Sequence, residues 1–304
     1  MRSLLALLLG LGACGADAPA DGPTPDGPAS GAPASGAPVA AAAPAVGLQL
    51  YSLREELAAD PAAGLDSIAA WGFRYVEGGN NPSYGLPLDT FKAMLAAREI
   101  DMVSVAADYA QLRDSIDLVV EKARTHTADY VVCFWIPHAD TVLTVAEADT
   151  AIRVFNAAGA VLAQAGITLA YHPHGYEFGP HPAGGTVLDE IVRRSDHYDF
   201  EMDVYWIALP GQDPLEWLRR YPEEWVLVHL KDCDRRGGRT ATLPHANDVE
   251  WNVVLGTGKF PIREVIEEAR ALGIPYVFVE DESSRAMTQA APSKAFVEAV
   301  LAGP

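Results

Sequence analysis

The residues of this 304-residue chain that could do chemistry fall in four short stretches. They are Tyr171-His172-Pro173-His174 with Glu177 just beyond, Asp203-Val204-Tyr205-Trp206, His229-Leu230-Lys231-Asp232 and Glu280-Asp281-Glu282. One more carboxylate, Glu77, closes an earlier apolar run. Acidic and imidazole groups with apolar neighbours are expected to be buried, and an unpaired buried charge is expensive. A divalent cation shared by Asp203, His229 and Glu280 would supply the missing partner. A mixed carboxylate and imidazole set suits Mn, Fe, Co, Zn or Mg better than Ca. Strand alternation puts His229 with Lys231, Asp203 with Tyr205 and Glu280 with Glu282 on common faces. Singly, each has a plainer role: a hydrogen-bonded histidine, a helix-capping Asp203, a Glu280 paired with Lys231 or an arginine. Their combination is what points to a metal.

Such residues must be brought together by the fold. From Val46 onward, short β-branched or aromatic runs alternate with helical stretches. The strands predicted are 46–53, 75–77, 102–107, 130–136, 168–172, 200–205, 225–231 and 276–280. Helices are predicted near 61–71, 88–98, 112–125, 145–165, 187–194, 214–221, 262–272 and 293–301. Gly72, Gly166 and Gly273 stand where left-handed helix ends are expected. Eight strand–helix units in about 260 residues give an α/β fold, a (β/α)₈ TIM barrel, whose active face is the carboxyl end of its strands. An open doubly wound sheet would carry a Gly-rich first turn, and Tyr51-Ser52-Leu53-Arg54 is not one. Gly256-Thr257-Gly258-Lys259 lacks the spacing of a phosphate loop.

Ahead of the barrel, Met1-Arg2 and the apolar Ser3–Leu11 are too short to span a bilayer. Leu11-Gly12-Ala13-Cys14 resembles the lipobox of bacterial lipoproteins. Residues 15–45 are nearly all Ala, Pro, Gly, Ser and Asp, with a duplicated Pro-Ala-Ser-Gly-Ala. Too little apolar bulk is present to offset ordering entropy, so a disordered tether is expected. The organisation expected is therefore a signal peptide over 1–14, a tether over 15–45 and a single barrel domain over 46–304. The protein is expected to be exported and anchored by lipid on Cys14, at the outer membrane facing the periplasm, since Gly15 rather than Asp follows the cysteine.

With 41 acidic against 22 basic residues, the net charge of −19 opposes nucleic-acid binding and electrostatic docking on anionic lipid. Cys14, Cys133 and Cys233 offer no structural zinc spacing. An oxidising compartment would permit a Cys133–Cys233 disulfide, without positive support in the sequence.

The segments Val46–Arg54, Ala170–Phe178, Asp203–Trp206 and Val228–Asp232 resemble the sugar phosphate isomerase/epimerase family, within the xylose-isomerase-like TIM barrel superfamily. The resemblance implies a metal held by four side chains from the fifth to eighth strands. Asp203, His229 and Glu280 match three of them. Many relatives carry Glu at the end of the fifth strand, where this chain has His172. Glu177 is taken as the fourth ligand, with His172 or His174 as the acid/base group; the exchanged assignment stays open. Lys231 would polarise a substrate oxygen, or neutralise Asp232 or Glu280. The implied chemistry is proton abstraction next to a carbonyl through a metal-stabilised enediolate. It would isomerise or epimerise a sugar, keto-sugar or cyclitol, or drive a lyase or dehydratase reaction. Trp135, Tyr205 and Trp206 would stack on a sugar face or simply pack the core. Arg235, Arg236 and Arg239 would bind an anion or form a solvated basic run; for an exported enzyme a neutral substrate is preferred. A non-catalytic carbohydrate-binding lipoprotein is the alternative, and an endonuclease IV-type nuclease is opposed by the charge. Nothing in the sequence sets an oligomeric state.

Overall fold

The computed structural model describes residues 42–79, 83–235 and 246–303. The expected signal peptide, its Cys14 and nearly all of the tether lie outside the described residues, as do Arg236 and Arg239. Among the described residues no helix is long and apolar enough to cross a membrane.

Eight parallel strands close into a barrel in chain order. They are β1 (Ala45–Gln49), β2 (Tyr75–Glu77), β3 (Asp101–Ala106), β4 (Tyr130–Cys133), β5 (Thr168–Tyr171), β6 (Asp199–Asp203), β7 (Trp225–Leu230) and β8 (Tyr276–Val279). β1 pairs with β8 to close the ring. Parallel strands are covered on both faces, which is why most of these runs are nearly continuously apolar until their ends; β6 differs, with Asp199, Glu201 and Asp203 at alternate positions. Helices start at local signals. Asp60 accepts the N–H groups of Ala62 and Ala63 ahead of Pro61, and Thr144 with Glu147 forms a capping box for Val145–Gln164. Gly72, Gly166 and Gly273 take the left-handed conformation, with φ of 79°, 75° and 74°.

Several boundaries differ from the sequence expectation. β1 gives way at Leu50 to a 3₁₀ turn, and β6 stops at Asp203. The Asp203 carboxylate accepts the Trp206 N–H at 2.9 Å and so starts a helix over Val204–Ala208. Tyr205 is therefore helical and does not share a strand face with Asp203. The helix expected over 112–125 is two helices, Tyr109–Asp114 and Ile116–His126, because Ser115 breaks the run. The last helix starts at Ala286 and carries Pro292 inside it. A proline reads as a boundary in sequence, yet here the missing N–H is tolerated. Cys133 and Cys233 are both free and buried, so the two do not form a disulfide.

The barrel interior is layered. Val103, Val132, Ala170, Leu227 and Phe278 form a buried apolar plug. Gly47 of β1 makes room for it: a Cβ there would lie 2.5 Å from the Phe278 ring. Two residues further along the same strands the inward positions become Phe134, His172, His229 and Glu280, which is the step that alternation dictates.

Candidate active site

His172, one residue past β5, and Asp203, the last of β6, present two buried atoms without a hydrogen-bond partner, His172 Nε2 and Asp203 Oδ2. They lie 3.6 Å apart. His229 of β7 joins them with Nδ1 at 3.9 Å from the same Asp203 oxygen. One ligand atom from each of His172, Asp203 and His229 lies within 4.8 Å of the others. A second group, Glu77, Glu201 and His229, satisfies the same condition deeper in the barrel. These donors are all buried and of the types that hold first-row divalent ions. The orphaned imidazole nitrogen facing an orphaned carboxylate oxygen fits a cation between them, since buried polar atoms otherwise find partners.

Glu201 was not singled out from the sequence. Its carboxylate lies between the two imidazoles: Oε2 accepts from His172 Nδ1 at 2.9 Å, and Oε1 is 3.2 Å from His229 Nε2. Glu77 Oε1 accepts from His229 Nε2 at 2.5 Å and from Gln49 Nε2 at 2.6 Å. Both histidines are thus fixed from below, which turns His172 Nε2 and His229 Nδ1 towards Asp203. The available signal was spacing, since Glu201 precedes Asp203 by two and shares its strand face.

Glu280, just past β8, accepts from His229 Nδ1 at 3.1 Å and lies 3.5 Å from Lys231 Nζ. It stands at the edge of the first group. Lys231 is fully buried, contacts the Glu282 carboxylate and lies over the Tyr205 and Trp206 rings at about 5 Å. It lines no part of the cavity described below, so its neutralising role has the closer contacts. Glu177, expected as the fourth ligand, lies outside both groups. It belongs to a short 3₁₀ turn, where it accepts the Tyr171 hydroxyl and the His174 N–H, the latter at 3.1 Å. His172, expected first as an acid/base group, occupies the ligand-like place instead. Asp232 accepts the N–H groups of Gly256, Gly258 and Phe260 at 2.9–3.2 Å, so the Gly-Thr-Gly turn wraps a carboxylate of its own chain.

Electrostatics follow from this crowding. Burial would push His229 down, but Glu201, Glu77 and Glu280 together hold it well above its ordinary pKa. Burial holds His172 well below, with His174, His229 and Lys231 adding to the effect. Burial brings His174 to about 3. Glu201 is raised by burial and by the Glu77 charge. Burial alone would raise Glu280, yet Lys231 and His229 depress it. Without a cation, a cluster of acids depends on one protonated imidazole and one lysine; a divalent ion would relieve it and leave His229 neutral.

A cavity of about 460 Å³ opens above this cluster. His172, His174, His229 and Glu280 reach it from β5, β7 and β8, and Gln49, Tyr51, Asp108, Tyr109, Phe134 and Trp135 from β1, β3 and β4. Of the aromatic residues expected to meet a sugar, Trp135 and Trp206 line the cavity, while Tyr205 is fully buried. Arg235 stacks on Trp251 at 4.1 Å.

The family model for xylose isomerase-like TIM barrels matches residues 65–300. A sugar phosphate isomerase/epimerase from Parabacteroides distasonis ATCC 8503 is similar, at 23% identity over 87% of this chain and 99% of that one, with a TM-score of 0.66. The zinc-binding IolI protein aligns at 17% identity over 83% and 97% of the two chains, TM-score 0.63. The probable 3-DHS dehydratase AsbF of Bacillus anthracis aligns at 13% over 84% and 99%, TM-score 0.65. At these identities the likeness is one of fold. No curated protein matches the sequence.

Proposed function

We propose, from the premise that this chain belongs to the xylose isomerase-like TIM barrel family, that it is a divalent-metal-dependent enzyme acting next to the carbonyl of a sugar, keto-sugar or cyclitol. The observation that carries the reading is the pair of buried, unpartnered atoms His172 Nε2 and Asp203 Oδ2, set 3.6 Å apart beneath a cavity. His172, Asp203 and His229 would hold the ion, with Glu280 beside them. When bound, it supplies Lewis-acid polarisation of the carbonyl and the neighbouring hydroxyl. Glu201 and Glu77 keep both imidazoles turned towards it. His174 Nδ1 donates to the His172 carbonyl at 3.3 Å, which leaves Nε2 as the acceptor on the cavity side. His174 takes the proton from the carbon beside the carbonyl, and the electron pair of that bond moves towards the carbonyl oxygen. Returning the proton elsewhere isomerises or epimerises; loss of a neighbouring hydroxyl or glycosyl group makes the reaction a dehydration or lyase step. Lys231 holds Glu280 ionised and contacts the Glu282 carboxylate.

The test is turnover of a sugar and keto-sugar panel by chelator-treated protein before and after adding Mn, Co, Zn or Mg. Metal-restored turnover is expected. Saturable sugar binding without turnover under any metal would favour a carbohydrate-binding protein instead. Export belongs to the same proposal: Cys14 carries lipid and tethers the barrel at the cell envelope. Cys14→Ala is expected to move the protein from the detergent phase to the aqueous phase without changing turnover, and an unlipidated wild-type N-terminus by mass analysis would contradict it.

A further inference from the structure

Among the described residues only four large apolar side chains are exposed, and the two aromatic ones, Tyr51 (38%) and Trp135 (45%), both face the cavity. A large aromatic surface left in water at a cavity mouth marks a place where a ligand is buried. Trp135 is not a loose side chain. Its ring packs on His138 at 4.6 Å and meets the edge of Tyr176 at 4.9 Å, so its free surface is held in one orientation. It stands 6.3 Å from the His174 ring, which is 4.6 Å from His172. The cavity thus runs from the β5–β8 cluster to an aromatic wall above β1, β3 and β4. That wall carries Asp108 near Tyr109, and the described lining as a whole holds acidic groups but no lysine or arginine. At this wall, away from the proposed ion, a phosphate would meet Asp108 with no lysine or arginine in the described lining to pair with. Sugar rings offer what this wall accepts: apolar C–H faces for aromatic rings and hydroxyl donors for carboxylates.

We propose that the region bordered by Tyr51, Tyr109 and Trp135 binds the second ring of an uncharged glycoside whose first ring lies at the β5–β8 cluster. The substrate is then larger than a monosaccharide and carries no phosphate. This deepens the proposed function and rests on it for the position of the first ring.

The experiment is calorimetric titration of the purified chain with Mn²⁺ present. The probes are glucose, galactose, glucose 6-phosphate and the neutral disaccharides maltose, cellobiose, lactose and trehalose. At least one disaccharide is expected to bind roughly tenfold more tightly than its monosaccharides, in line with one added aromatic stack. Trp135→Ala is expected to remove that advantage, bringing disaccharide affinity down to that of the monosaccharides, and Trp135→Phe to retain most of it. Equal affinities for one and two rings, a ratio indifferent to Trp135→Ala, tightest binding of the phosphate, or no binding by any probe would each overturn the proposal. Failure of the metal chemistry would show separately, as protein that takes up no ion, because the ratio of affinities is read without turnover.

Discussion

Two layers of one barrel interior, built by the same strands, are made of opposite materials. Val132, Ala170, Leu227 and Phe278 form the lower layer, and the residues two positions on, Phe134, His172, His229 and Glu280, belong to the upper. The lower layer is apolar, closely packed and without polar atoms to satisfy. The upper layer buries unpartnered atoms of His172 and Asp203, and Glu77 and Glu201, which hold its histidines from below, bury two more. Unsatisfied buried groups each cost about 1–3 kcal/mol, so a fold selected for stability alone would not collect them. One alternation step along a strand therefore divides stability from chemistry.

Variants can separate the layers. The largest effect is expected for Asp203→Ala, which should eliminate metal uptake and metal-dependent turnover while the melting temperature changes little, loss of the helix cap offsetting relief of the buried carboxylate. Metal analysis, a turnover assay and calorimetry on one preparation check this. A collapsed barrel would show that the upper layer is structural. Phe278→Ala below it should behave in the opposite way. Removing a fully buried ring is expected to cost about 3–5 kcal/mol in urea unfolding, while the chains that remain folded keep their metal.

A smaller effect is expected for Glu201→Gln, because the amide can accept from only one of the two imidazoles that Glu201 now joins. Metal affinity should fall roughly 10–100-fold, as losses of such supporting carboxylates do. Glu201→Asp should recover part of it, and unchanged affinity would remove Glu201 from the account. An effect on stability of similar size lies outside both layers. Buried His126 has neither ring nitrogen hydrogen-bonded, and burial lowers its pKa to about 4. The unfolded chain, with an ordinary pKa of about 6.5, then binds more protons between those values. Stability should decline as pH falls from about 6.5 to about 4, by roughly 2–3 kcal/mol from this group. His126→Leu should flatten that limb in pH-dependent urea unfolding; an unaltered limb would place the acid sensitivity elsewhere, the upper layer included.

The barrel was legible because its strands and helices obey different periods and because glycines such as Gly72 and Gly273 mark helix ends. Asp203, His229 and Glu280 were legible because strand ends gather on one face. Two features were not. Asp203 ends its strand by capping the next helix; the sequence offered the cap only as an alternative to the strand end, so the loss of Tyr205 from the expected face was not foreseen. The sequence left Glu177 and His172 open to exchange as fourth ligand, because chain proximity does not say which side chain turns inward. A local contact with the Tyr171 hydroxyl decides that for Glu177, and Glu201 decides it for His172.

That exchange gives the most direct test. Elemental analysis of the wild type, His172→Ala and Glu177→Gln, each purified with equal added divalent metal, measures which side chain holds the ion. About one ion per chain is expected in the wild type and in Glu177→Gln, and little in His172→Ala. Metal retained without His172 but lost with Glu177→Gln, or a wild type that binds none, would contradict the account.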